Sequence, residues 1–411
     1  MKETQAVTGR IKVVWLCHFS TQEVRKHLNP KGSVSDFAPW IPGLLKAFQG
    51  HDDEVELHVV APHKYISGLR RWESEGVHYY FFNPFIPIWG RPWPGFFRLD
   101  LWTGFASSKR RIRKIVAEIK PDLIHLHGFE NAYYAEVVLQ LRHYYPVFTT
   151  IQGFASHIVA WQGRAIEYRK DVERRIIQNL RHFGYRTQTM KEDLLAINPE
   201  AIMHKHRYYV DYPVFPRDRI LYDIVIFAAN PVSKGLADII KALAMLKQTE
   251  GLQYTLLVIG SVAPSARQEL DGIAREANLE DKITYLGYME TQAEVLEKAA
   301  TARICVLPTR NDVIPGTIVE SMYLGIPVIA YDTGSIHELN KDGEYVILVP
   351  QDDIEGLACQ IKRLLSNPEL QKSMADKGRI HIKSWFDNDS IFPDLLQAYR
   401  ETISDFCSGP K

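Results

Sequence analysis

Two carboxylates eight positions apart, Asp312 and Glu320, bracket a Pro315-Gly316 step in NDVIPGTIVESMYLGIPVIA (311–330). The preceding ARICVLPT (302–309) reads as a buried strand, RNDVIPG as the loop at its carboxyl end, and TIVESMYLG as a short helix. Gly325 would cap that helix, with Pro327 just beyond it. The N–H groups of Gly316, Thr317 and Ile318 are then the unpaired donors of a helix N-terminus. Such donors bind anions, and a diphosphate suits them. Gly316 has no side chain to hold a phosphate away. Glu320, read as first-turn, would face the same cleft. Its carboxylate can accept hydrogen bonds from vicinal ribose hydroxyls. Spacing alone leaves open a plainer reading, in which Glu320 complements the helix dipole and Pro-Gly only turns the chain.

A second group lies in IVIFAANPVSKGLADIIKAL (224–243), where a strand ends near Asn230 and a helix opens near Gly235. Lys234, at the helix's amino end, is a point charge suited to phosphate oxygens. A solvated surface lysine is the commoner fate. In PDLIHLHG (121–128), His125 and His127 alternate on a strand and share a face. No third metal ligand is evident near them, so hydrogen-bonded core histidines are the simpler reading. His127-Gly128 and Gln152-Gly153 both fall at strand ends and are candidates to line the cleft. An aromatic run (79–105) followed by KRRIRK (109–114) suits an anionic membrane or a lipid-linked acceptor; its alternative is a loop packed on its own domain. DND (387–389) offers carboxylates for a divalent metal, but in the tail. GxGxxG and GxxxxGK[ST] are both absent, which argues against NAD-type and P-loop sites.

Positioning these residues requires a particular architecture. Short apolar runs at 12–19, 55–62, 121–128 and 146–153 alternate with helical stretches at 40–48 and 107–120. The alternation restarts after residue 220, with strands expected at 222–230, 254–260, 282–287, 302–309, 326–332 and 345–350. This is the βαβ pattern of a parallel sheet covered on both faces. With 411 residues, two doubly wound α/β domains are expected rather than one. The boundaries are set at 1–208 and 209–385, after the helix-poor stretch 204–219. A helical tail, 386–411, broken at Pro393, would pack back toward the first domain. Ligands of such sheets bind beyond the strands' carboxyl ends. The net charge is zero, so nucleic acid is not an expected partner. Residues 1–200 carry 27 Lys and Arg against 20 Asp and Glu, and the balance reverses in the rest. The four cysteines are scattered without metal-binding spacing, as in a cytoplasmic protein with reduced thiols. The N-terminal apolar run reads as a strand rather than a signal peptide, and no run approaches the roughly 18 apolar residues of a membrane span.

Taken together and in order, ANPVSKGLADIIKAL, YTLLVIGS, ITYLGYM, ARICVLPT, NDVIPGTIVESMYLGIPVIAYDTGSIHEL and GEYVILVPQDDIEGLACQIKRLLSNPEL resemble the retaining family-4 glycosyltransferases of GT-B fold. The front half matches more loosely, through IKVVWLCHF, PDLIHLHG and TTIQGF. The resemblance implies two Rossmann-like domains facing across a cleft, the first binding the acceptor and the second a nucleoside diphosphate sugar. The family's Glu, seven residues, Glu pattern falls on Asp312, expected to contact the donor sugar, and Glu320, expected to hold the ribose. Lys234 matches the phosphate-binding lysine, the amides after Pro315 would meet the diphosphate, and Tyr288 and Met289 match positions flanking the nucleobase. The resemblance further implies a glycan or lipid-linked acceptor, a role in polysaccharide synthesis, no metal or other cofactor beyond the nucleotide-sugar co-substrate, and a cytoplasmic protein in peripheral contact with the membrane's inner face. Three departures stand out. Ala229 occupies the place of the family's second phosphate cation, an arginine five residues before the lysine. The glycine-rich loop after the first strand is not evident. Gln152 replaces a histidine often found before a glycine.

Overall fold

The computed structural model of the chain describes residues 9–30, 38, 40–85, 99–157, 163–207, 209–210 and 215–408. The chain divides into two units, Met1–Val210 with Asp387–Lys411, and Asp211–Phe386.

The first unit is built on β1 (Ile11–Leu16), β2 (Val55–Pro62), β3 (Leu69–Ser74), β4 (Val77–Phe82), β5 (Leu123–His127), β6 (Val147–Thr150), β7 (His182–Tyr185) and β8 (Ile202–Lys205). Their order across the sheet is β3-β4-β2-β1-β5-β6-β7-β8. All neighbours are parallel except β3, which forms an antiparallel hairpin with β4. Strand order reverses between β1 and β5, which makes the carboxyl ends of those two strands the switch point where α/β sheets bind ligands.

The core on one face combines Val13 and Trp15 of β1 with Leu57 and Val59 of β2, and the tail fills the rest. The closing helix, Ile391–Ser408, contributes Ile391, Phe392, Leu395, Tyr399 and Ile403 to that cluster. Burying such side chains contributes roughly 1.5–3 kcal/mol each, so the tail is integral to this unit. The expected break at Pro393 does not occur. Pro393 is the third residue of the helix, where the missing N–H is an orphan donor in any case.

The aromatic band resolves in part into core. Its first residues, Tyr79–Phe82, belong to β4, and Phe81, Phe82 and Phe85 are buried; residues 86–98 lie outside the described ones. The basic run falls on the helix Ala106–Ile119, whose Ile112 is buried. Three of its cations serve their own unit: Lys109 meets Glu136 at 3.1 Å, Arg113 meets Gln140 at 3.3 Å, and Arg111 donates to the Asn83 carbonyl. No described helix is long and apolar enough to cross a membrane.

The second unit is an all-parallel six-stranded sheet of β9 (Tyr222–Phe227), β10 (Leu256–Ile259), β11 (Ile283–Gly287), β12 (Ala302–Leu307), β13 (Val328–Tyr331) and β14 (Val346–Val349). The order is β11-β10-β9-β12-β13-β14. Its central strands are apolar, as burial on both faces requires, apart from Asp223 and Arg303 near their starts, which pair with each other at 3.0 Å. Here the order reverses between β9 and β12. The loop carrying Lys234 leaves β9 and the loop carrying Asp312 leaves β12, so topology places both at this unit's switch point.

Candidate functional site

After β9, Asn230 opens a tight turn: its Oδ1 accepts from the Ser233 N–H at 3.4 Å and its carbonyl from the Ser233 hydroxyl at 2.9 Å. A single 3₁₀ turn, Val232–Lys234, follows. Gly235 (φ +91°) then admits the chain to the helix Leu236–Glu250. A Cβ at Gly235 would collide with the Pro308 carbonyl just beyond β12, so only glycine lets the two loops pass this closely. The turn delivers Lys234 to Asp312. Its Nζ lies 2.7 Å from both carboxylate oxygens, and Thr309 Oγ1 donates to the same carboxylate at 2.5 Å. An ammonium has three N–H donors. Two point at Asp312, which leaves one for a phosphate oxygen. Sequence reasoning gave both residues a role but not their direct contact.

Arg310, two residues before Asp312, sits in this loop yet does not replace the arginine missing at Ala229. Its guanidinium is held by Asp238 at 2.5 Å and Asp352 at 2.6 Å, and Asp238 also accepts from Tyr331 at 3.1 Å. It is a brace for the loop.

The helix Gly316–Leu324 begins directly after Pro315. Thr317 anchors it, with Oγ1 donating to the Phe227 carbonyl at the end of β9 at 2.8 Å. Of the three donors expected to be unpaired, the Ile318 N–H instead donates to the Pro315 carbonyl at 3.1 Å, because the first turn tightens. Among the described residues, the N–H groups of Gly316 and Thr317 have no partner. The space where a Gly316 side chain would lie is open. At the other end, Arg379 donates to the carbonyls of Tyr323 (3.1 Å) and Leu324 (2.9 Å), placing a cation on the negative pole of the helix.

Glu320 is the fifth helical residue, one place beyond the first turn expected for it. That weakens the simple dipole-complement reading, which requires a place near the terminus. Glu320 is half-buried, and its Oε1 accepts from Gln292 Nε2 at 2.9 Å. Burial pushes its carboxyl up to about 7, against the weaker opposing effect of the Gln292 hydrogen bond. Tyr288 stands 55% exposed just past β11, with Met289 beside it half-buried, an arrangement open to stacking with a flat ring.

In the first unit, His127 ends β5 and Gly128 follows with φ +75°. A Cβ there would fall 2.5 Å from Glu130 Oε2 and 2.8 Å from Gln152 Oε1, so these three residues form one cluster. With its amide turned to satisfy both ends, Gln152 donates to Glu130 (3.1 Å) and accepts from the Trp40 indole (2.9 Å). Glu130, absent from the sequence reading, keeps its Oε2 buried without a partner among the described residues, and burial raises its carboxyl to about 7. Gly153 faces open space. The neighbouring His125 is a satisfied core residue, bonded to Tyr399 Oη at 2.7 Å and Thr150 Oγ1 at 2.5 Å. Desolvation holds both His125 and His127 far below the usual imidazole range, so both are neutral. The tail motif DND is structural: Asn388 bonds both backbone groups of Val210 (2.9 and 3.1 Å).

The two parallel-sheet α/β domains, each with its own switch point, are those of a GT-B architecture. Solved structures agree. The chain is similar to sucrose-phosphate synthase from Thermosynechococcus elongatus (TM-score 0.72, 20% identity, 95% of this chain and 99% of that one). It is also similar to Anabaena HepE in complex with UDP and glucose (TM-score 0.66, 14% identity, 94% and 98%). Residues 222–381 match the family described as Glycosyl transferases group 1. Among curated relatives, it is 29% identical over 168 residues to the alpha-D-kanosaminyltransferase of Streptomyces kanamyceticus, covering 41% of this chain and 42% of that one. It is 25% identical over 248 residues to the MMP alpha-(1->4)-mannosyltransferase of Mycolicibacterium hassiacum, covering 59% and 58%. The chain spans about half the length of the curated relatives it matches.

Proposed function

We propose that the protein transfers a sugar from a nucleoside diphosphate sugar to a hydroxyl of a glycan or lipid-linked acceptor, with retention at the anomeric carbon, in polysaccharide synthesis. The observation that carries this reading is the convergence at the β9/β12 switch point: Lys234, the free N–H groups of Gly316 and Thr317, and Glu320 on the same helix. The difficult step is departure of the diphosphate. Lys234 and the two amides are fixed donors where that charge develops, and fixed donors stabilise a transition state without reorganising. Ionised Glu320 accepts from the ribose hydroxyls, Tyr288 and Met289 flank the base, and Asp312 orients both Lys234 and the sugar. The leaving diphosphate takes the acceptor's proton, so no separate base and no metal is required. His127, Gly128, Gln152 and Gly153 serve the acceptor. The setting we propose is cytoplasmic, peripheral to the inner face of the membrane.

Ala229, with Arg310 committed elsewhere, favours a second reading: a domain that binds a sugar nucleotide and turns it over slowly. Product analysis with UDP-, GDP- and ADP-hexoses distinguishes the two. A transferase yields a glycoside of unchanged anomeric configuration, or hydrolysed donor when no acceptor is present. Binding without product across a broad acceptor set supports the second reading, and an altered hexose would reveal an epimerase instead.

A further inference from the structure

At the amino-terminal edge of the first sheet, far from the strand ends just described, the register assembles a donor set that the sequence does not display. Glu56 and His58 alternate on β2 and so share a face. His78 on β4 lies directly opposite His58. The two imidazoles stack with centroids 4.6 Å apart and planes 19° from parallel. One ligand atom from each of Glu56, His58 and His78 lies within 4.8 Å of the other two. From this geometry we infer that Glu56, His58 and His78 bind a divalent metal ion of borderline softness, zinc being the best match.

Four observations support it. Two imidazoles and a carboxylate are a donor set that zinc accepts, with a solvent molecule completing a tetrahedron. His58 Nε2 already lies 2.9 Å from Glu56 Oε1, and the 4.8 Å limit on the remaining separations is within the reach of side-chain rotation about a zinc ion. His78 Nδ1 lies 3.3 Å from Glu73 Oε2 on β3, near enough for that carboxylate to orient the ring when Nε2 takes a metal, as carboxylates behind metal-bound histidines do. His58 is only 5% exposed, and its Nδ1 has no hydrogen-bond partner among the described residues. A buried imidazole with an orphaned nitrogen, stacked on a partly exposed one, is hard to account for as packing alone.

Two cations oppose the ion, and the more distant, Arg10, has Nη1 3.7 Å from Glu56 Oε2. Lys12, opposite Glu56 in the register, places Nζ 3.2 Å from Glu56 Oε1, and His58 Nε2 lies 2.9 Å from the same oxygen. A metal must displace that ammonium, so affinity is set by competition with Lys12. An ion here would join β2 to β4 and, through Glu73, to β3. It would strengthen the sheet without entering the chemistry at the strands' carboxyl ends.

The test is titration of the full, chelator-treated chain with Zn²⁺ by calorimetry, and with Co²⁺ by visible absorption, alongside thermal unfolding. Expected are one ion per chain, the intense visible bands of tetrahedral Co²⁺, and a zinc-dependent rise in Tm. His78→Ala, at a partly exposed position that tolerates truncation, should abolish all three signals. Glu73→Gln should weaken binding about tenfold or more, and Lys12→Met should tighten it. Absence of binding overturns the inference. So does zinc binding of equal strength in wild type and His78→Ala, which would mark an adventitious ion only and leave the cluster as a Lys12–Glu56–His58 hydrogen-bond network.

Discussion

Lys234→Ala separates a catalytic role from a structural one. Its Nζ is 2.7 Å from both Asp312 oxygens, but the side chains are 28% and 19% exposed. Solvent screens a pair of that kind, so its net contribution to stability is about 1 kcal/mol or less. Asp312 is not orphaned by the change, because the Thr309 hydroxyl still donates to it. The effect on reaction should be much larger. With the arginine position filled by Ala229 and Arg310 bound to Asp238 and Asp352, the proposed reaction would rest much of this unit's charge stabilisation of a leaving diphosphate on Lys234. Loss of one preorganised donor of this kind costs about 3 kcal/mol, or about 10²–10³ in kcat. The assay pairs single-turnover release of nucleoside diphosphate with urea unfolding of wild type and variant. The reasoning predicts about a hundredfold or greater fall in kcat with about 1 kcal/mol or less of stability lost. Turnover within about threefold of wild type would refute it, as would a loss of activity that merely tracks unfolding. Asp312→Asn is the companion: it releases the ammonium, so diphosphate binding should hold or tighten while transfer slows.

Three further expectations follow from the same geometry. Glu320 has its carboxyl raised from the usual 4.5 to about 7, so the folded chain holds a proton more tightly than the unfolded one between those values. Its contribution to stability is therefore present at low pH and falls as pH rises toward 7. Glu320→Gln should flatten that part of the Tm–pH curve, and nucleotide binding near neutrality should release a proton in wild type only, read by calorimetry in buffers of different ionisation heat. For the buried histidines of the first unit the sign is opposite. Burial lowers His204 to about 4 and His206 to about 3, and depresses His125 and His127 strongly, so the unfolded chain takes up protons first and stability is lost as pH falls from 6.5 toward 4. Scanning calorimetry at descending pH should show the first unit's transition falling ahead of the second's. Finally, Gly334 (φ +56°) passes so close to the Asp312 carbonyl that a Cβ would collide with it; Gly334→Ala should cost about 1–3 kcal/mol and shift Asp312, lowering turnover beyond what the loss of stability explains.

The sequence exposes the second unit clearly because each of its strands is a short apolar run cut off by Gly, Pro or polar residues, the signature of strands buried on both faces. Strands β3, β7 and β8 escape that test. Arg70, Arg71 and Glu73 make β3 an exposed edge, while β7 and β8 span four residues each and are rich in histidine. Pro393 reads as a break because a proline's helical position is invisible until the helix start is known. At the candidate site, the sequence singles out Lys234, Asp312 and Glu320, by their places on strand-to-helix loops and by resemblance. Their partners were not: Gln292 lies 28 positions from Glu320 and Arg379 lies 55 from Leu324. The His58–His78 pairing depends on the register between β2 and β4, which no local pattern encodes.

The most direct test of the donor-site assignment is thermal shift of wild type and Glu320→Ala against UDP, GDP, ADP and their common sugars. The account predicts that one nucleoside diphosphate and its sugars raise the Tm of wild type and leave the variant unmoved, which would also name the base. Equal stabilisation of both proteins would contradict the role of Glu320, and no stabilisation of either would contradict the donor site itself.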